Sequence, residues 1–126
     1  MQYSRVLLID DDEDDQELFL LAIKEIAASV ECITLDNPRS ALIQLENRVL
    51  TADVIFLDLN MPIMTGQQFL SELTKRESLS RIPVIILSTS ANIETINQAK
   101  ALGAISFITK PSNFKELKTI LHGILE

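Results

Sequence analysis

The sequence is poor in the residues that staple or punctuate a chain. Its 126 residues include one cysteine, three glycines, four prolines and one histidine. A single thiol, Cys32, excludes an internal disulfide framework, and no CxxC pair or Cys/His array offers a structural zinc site. With so little glycine and proline there is no linker, and no internal repeat or low-complexity stretch occurs. The chain is one unit of ordinary domain size, since domains run to ~150 residues. Long apolar runs are missing as well. The first, residues 6–9, is far too short for a signal-peptide core or a membrane span. A cytoplasmic location with no membrane partner is the expectation. Positive charge is also scarce. Eleven bases against eighteen acids leave a net charge of −7, a field that repels nucleic acid and anionic membranes.

What is present is apolar. Leu, Ile, Val and Phe supply 45 residues, far above the level of a disordered chain. A chain of this size buries roughly two-thirds of its unfolded surface, enough for a core without staples. The acids are unevenly spread, because Asp10, Asp11, Asp12, Glu13, Asp14 and Asp15 hold six of the eighteen. A lone acidic run is usually a solvated face. This one follows Val6-Leu7-Leu8-Ile9 directly, so folding must anchor it.

Apolar runs with β-branched residues lie at 5–9, 31–35, 54–57, 84–87 and 105–108. Runs of this kind suit strands covered on both faces, as parallel sheets require. Helix-period segments separate them. Residues 14–28 carry Leu18, Leu21, Ala22 and Ile26. Residues 38–50 open on Asn37-Pro38, a cap followed by proline at the first helical position, and carry Ala41, Leu42, Leu45 and Val49. A third helix opens at Thr65-Gly66 with Phe69, Leu70 and Leu73. Residues 91–102 carry Ile93, Ile96, Ala99 and Leu102 as core, with Gly103 as the stop. Asn113 caps the last helix, which carries Phe114, Leu117, Ile120, Leu121 and Ile124.

Five strands alternating with five helices imply right-handed crossovers and a three-layer α/β sandwich. The flavodoxin-like order 2-1-3-4-5 is the leading arrangement at this length, and its ligand site lies beyond the carboxyl ends of strands 1 and 3. Strand 1 ends in Asp10-Asp11, strand 3 in Asp58 and strand 4 in Ser88, and strand 5 is followed by Thr109-Lys110. Three carboxylates, a hydroxyl and an amine therefore converge on one edge.

Each carboxylate pair repels by a few kcal/mol at ~4 Å with an effective dielectric of ~20, so the edge needs a cation or protons. Oxygen-only ligands with room for water suit Mg²⁺ better than Ca²⁺. A calcium loop starting at Asp10 fails, because Asp15 stands where glycine is needed and Leu21 where glutamate is needed. A flavin phosphate loop fails because acids fill its place, and no GxGxxG or Walker loop occurs. A Ser-His-Asp hydrolase would need His122, which sits in the last helix away from the edge. What remains is a carboxylate that accepts a phosphoryl group: Asp58 as nucleophile, Mg²⁺ on the phosphoryl oxygens, Lys110 and Ser88 on the rest.

These residues resemble the receiver domains of two-component response regulators over essentially the whole chain. The likeness rests on Leu8-Ile9-Asp10-Asp11, on Phe56-Leu57-Asp58-Leu59-Asn60-Met61-Pro62 with Gly66, on Pro83 to Ser88, and on Gly103-Ala104 with Lys110-Pro111. It implies a single receiver domain over 1–126 with no output domain, which is a phosphoacceptor and not an enzyme, apart from catalysing its own phosphorylation and dephosphorylation. It implies phosphoryl transfer to Asp58 from a phosphohistidine on a sensor histidine kinase or a histidine phosphotransfer protein. It also implies Mg²⁺ on Asp11 directly and on Asp10 through water, with Asp58 and the Asn60 backbone carbonyl in the same metal site. Ser88 and Phe107 match the switch positions, a downstream protein would meet the helix 4–strand 5–helix 5 face, and the Lys110–Pro111 bond is expected to be cis. Thr89, where relatives commonly carry Ala or Gly, and Phe107, where some carry Tyr, depart from the pattern.

Two other readings compete. A haloacid-dehalogenase-like phosphatase also uses an aspartate nucleophile with Mg²⁺, but its DxDx(T/V) motif would need Thr or Val at Asp14. A docking module that is never phosphorylated would have lost the acids or the lysine, and none is lost. Asp12 to Asp15 read as an exposed first helical turn and not as ligands, since acids suit a helix N-terminus. Cys32 reads as a small buried hydrophobe.

Overall fold

The computed structural model describes residues 3–89 and 92–125. The five apolar runs form the strands β1 (Arg5–Ile9), β2 (Glu31–Leu35), β3 (Val54–Leu57), β4 (Val84–Ser88) and β5 (Ser106–Thr109). Between and after them lie the helices α1 (Glu13–Ile26), α2 (Pro38–Glu46), α3 (Gly66–Thr74), α4 (Ile93–Ala101) and α5 (Phe114–Leu125). All neighbouring strands are parallel, in the order β2-β1-β3-β4-β5, as the alternation implied.

Alternation along the strands divides the core into two layers. Leu7, Ile9, Ile55, Leu57, Val84 and Ile86 face α2, α3 and α4, whose Ala41, Leu42, Leu45, Phe69, Leu70, Leu73 and Ala99 cover them. Val6, Leu8, Val54, Phe56, Ile85 and Leu87 face α1 and α5, meeting Phe19, Ala22, Ile23, Leu117, Leu121 and Leu125. The three central strands are buried on both faces, which is why their sequences do not alternate with polar residues.

The helix starts follow the cap chemistry of the sequence. Asn37 accepts from the Arg39 and Ser40 amides ahead of Pro38, and Asn113 accepts from the Glu116 amide at 2.8 Å. Thr65 and Gln68 form a reciprocal capping box at the start of α3.

The helix faces and ends differ from expectation in three places. In α1 the residues turned inward are Phe19, Ala22 and Ile23, while Leu18 and Leu21 are close to half exposed. Residues 18–23 are all apolar, so periodicity alone admits several faces. Packing decides: the Phe19 ring meets Phe56 edge-on at 5.1 Å. The second helix ends at Glu46, not at 50, because Arg48 adopts a left-handed φ of 59° and turns Val49 into solvent. In α4 only Ala99 is buried and Ile93 is 75% exposed. This helix lies beside the edge strand β5, which offers less sheet to cover. Ala91, the expected start of that helix, lies outside the described residues.

The Lys110–Pro111 bond was expected to be cis and is trans, since no peptide bond among the described residues is cis. Trans is the lower-energy isomer of an X–Pro bond by ~0.5–1 kcal/mol. With it the Lys110 amide donates to the Ser88 carbonyl at 2.8 Å, and its ammonium still reaches the sheet edge.

Candidate phosphoacceptor and metal site

Strand register builds the site. Ile9 pairs with Leu57, so the next residues, Asp10 and Asp58, leave the sheet side by side. Their backbones are fixed by sheet-like bonds, Asp10 N–H to the Leu35 carbonyl and Asp58 N–H to the Ile9 carbonyl, both at 3.0 Å. Continuing the alternation, Asp10, Asp58 and Lys110 follow Leu8, Phe56 and Ile108, on the α1–α5 side of the sheet. Ser88 and Phe107 follow the other parity, with Ile86 paired to Phe107 on the α2–α4 side. The loaded edge is thus split between the two faces of the sheet.

On the α1–α5 side the charges meet. Carboxylate oxygens of Asp10, Asp11 and Asp58 lie within 4.8 Å of one another. Asp10 and Asp58 are buried, whereas Asp11 is exposed, so the group opens to water on one side. Asp10 accepts from the Asp12 amide at 3.0 Å and from the Lys110 ammonium at 2.9 Å. Lys110 also donates to Asp15 at 2.7 Å and stands 3.8 Å from Asp58.

Burial raises the pKa of Asp10, against the opposing pull of its hydrogen bonds from Asp12 and Lys110. Burial likewise lifts Asp58 to about 6, with Lys110 and the Asn60 amide opposing and the charges of Asp10 and Asp11 assisting. For Lys110, burial acts downward, but its bonds to Asp15 and Asp10 and the nearby carboxylates outweigh it and hold the ammonium firmly charged. One ammonium neutralises only part of this cluster. The donors are oxygens alone, two of them buried and close to one another, and that set fits a hard divalent cation.

Two local features hold Asp58 in place. Asn60 sends its amide back to the Asp58 carboxylate. Gly66 lets the start of α3 close behind it: a Cβ there would lie 2.6 Å from the Asp58 carbonyl oxygen and 2.7 Å from Leu59 Cα. Both neighbours are backbone and cannot yield, so glycine is required for space.

The residues singled out by the sequence do not form a single cluster. Asp10, Asp11, Asp58 and Lys110 converge. Asn60 is exposed in the following loop. Ser88 is fully buried at the end of β4, and Phe107 is half-buried among the α2–α4 side chains. Thr89 is exposed beside Ser88, and His122 is exposed on α5. The reading of Asp12 to Asp15 as a solvated first turn holds for Asp12, which caps α1 by accepting from the Asp15 amide at 3.0 Å. It fails for Asp15, whose side chain binds Lys110. A signal was available: Asp15 is the third residue of a helix that begins at the sheet edge, so its side chain can turn back toward that edge. Gln16 was missed too, and its amide donates to the Asp10 carbonyl.

Comparison with known proteins gives a consistent result. Residues 6–122 match the family model of the response regulator receiver domain. Among curated proteins, the chain is 30% identical over 124 residues to the response regulator Rcp1 of Synechocystis, covering 94% of this chain and 84% of that one. It is 34% identical over 121 residues to the cell cycle response regulator CtrA of Brucella ovis, covering 96% of this chain and 50% of CtrA, so it spans about half of that relative's length. Among solved structures it is similar to the phosphorylated cyanobacterial phytochrome response regulator RcpA, with a TM-score of 0.88, 31% identity and coverage of 97% and 91%. It is also similar to the Mn²⁺-bound form of Rcp1, with a TM-score of 0.85, 29% identity and coverage of 96% and 91%.

Proposed function

Because the chain belongs to the response regulator receiver family, we propose that it accepts a phosphoryl group on Asp58 from a phosphohistidine and signals by changing the shape of its α4–β5–α5 face. The observation that carries this reading is the pairing of a buried carboxylate, Asp58, with a second buried carboxylate and a charged lysine at the switch point of the sheet.

The nucleophile is the Asp58 carboxylate oxygen. It forms a bond to phosphorus as the P–N bond of the phosphohistidine breaks and the imidazole departs with the bonding pair. With its pKa near 6, Asp58 is ionised at neutral pH and ready for that role. The Lys110 ammonium receives one phosphoryl oxygen and the Ser88 hydroxyl another. A divalent ion, Mg²⁺ by its hardness and its tolerance of water ligands, would be held by Asp10, Asp11, Asp58 and the Asn60 carbonyl, and would offset phosphoryl charge. The Mn²⁺ in the Rcp1 structure supports a divalent site of this class. The donor is a sensor histidine kinase or a histidine phosphotransfer protein, and the receiver acts as phosphoacceptor, with its own site speeding both gain and loss of phosphate.

Metal dependence tests this directly. With a small phosphodonor, labelling should need Mg²⁺ and vanish on chelation. Asp11→Asn, which removes an exposed ligand and leaves the fold intact, should slow labelling by roughly tenfold or more. Undiminished labelling of Asp11→Asn in chelator would contradict the proposed site.

A further inference from the structure

We propose that Asp15 is a positioning residue that competes with the phosphoryl group for Lys110. This inference rests on the phosphoacceptor reading and concerns a side chain outside the metal cluster. The Lys110 ammonium has three donors, and two of them are committed at hydrogen-bond distance, to Asp15 at 2.7 Å and to Asp10 at 2.9 Å. Asp58, the residue it must serve, is 3.8 Å away, beyond a hydrogen bond. In this proposal a phosphoryl group formed on Asp58 draws the Lys110 ammonium toward that side of the site.

The two tethers are not equivalent. Asp10 stands beside Asp58 in the sheet register, so an ammonium that shifts toward Asp58 stays close to it. Asp15 belongs to the first turn of α1 and holds the ammonium from the rim, where its own side chain is 38% exposed. The Lys110–Asp15 bond is the one that the shift breaks. A bond present in the free state and absent in the phosphorylated state weakens occupancy of Asp58 by its own worth. Asp15 thus sets how strongly the site holds a phosphoryl group, without touching that group.

Beryllofluoride, a mimic of the phosphoryl group, tests this by calorimetry in the presence of Mg²⁺. Asp15→Asn frees Lys110 and should bind the mimic roughly three- to tenfold more tightly than wild type, the range for a half-exposed, charge-assisted pair. Asp15→Glu, which can still reach the ammonium, should stay within roughly twofold of wild type. Asp14→Asn removes an exposed acid one residue away and should also stay within that range. Tightening is a readout that structural damage cannot mimic, since a disturbed site binds more weakly. Unchanged affinity in Asp15→Asn would overturn the proposal, and so would equal tightening in Asp14→Asn, which would reduce the effect to net charge. No binding of the mimic by the wild-type protein would instead overturn the phosphoacceptor reading, and the role of Asp15 with it.

Discussion

The cost of this site is concentrated in single residues. Asp58 titrates near 6 in the fold, against ~3.9 for an exposed aspartate. Between those values the folded protein binds a proton that the unfolded chain does not, so the group's contribution to stability is fullest below about pH 4 and is lost as pH rises through 6. At neutral pH the ionised, buried carboxylate lowers stability by an amount on the order of a few kcal/mol. Asp58→Asn keeps the shape and removes the charge. Without metal it should therefore melt several degrees higher than wild type at pH 7.5, with the gap closing toward pH 4.5. Thermal melts of both proteins in chelator at the two pH values decide this. A gap of the same size at both would mean that Asp58 is not the strained group.

Elements divide the labour. The parity of β1, β3 and β5 delivers Asp10, Asp58 and Lys110 to the α1–α5 side, while the same pleat sends Ser88 and Phe107 to the α2–α4 side. The charged cluster on one face and Phe107 on the other are linked through adjacent strands and through the Lys110 amide on the Ser88 carbonyl. If Ser88 carries the signal, Ser88→Ala should still be phosphorylated, yet the amide shift changes over α4, β5 and α5 should be roughly halved relative to wild type. Equal changes in both proteins would rule out Ser88 as the link. The strand runs, their order and the residues at their ends were legible in the sequence, because a fully buried parallel strand leaves an unbroken apolar run and the switch point fixes where function gathers. The inward face of α1 was not legible. Six consecutive apolar residues carry no period, and only the fit of Phe19 against Phe56 selects one face. The place of Asp15 in the first turn of α1 puts it within reach of the edge, but nothing local singles out its partner, since Lys110 lies 95 residues away in the chain.

For the molecule as a whole, a net charge of −7 gathered toward one edge is the organising fact. An acidic edge repels a phosphoryl donor unless a cation offsets its charge, so the proposed function couples phosphoryl acceptance to metal binding. No helix among the described residues is long and apolar enough to cross a membrane. The central claim is that one side chain, Asp58, receives the phosphoryl group. Intact-mass analysis of wild type and Asp58→Asn, each incubated with a small phosphodonor and Mg²⁺, tests it most directly. The account predicts one added phosphoryl group on wild type and none on the variant. A full-strength adduct on Asp58→Asn would contradict it.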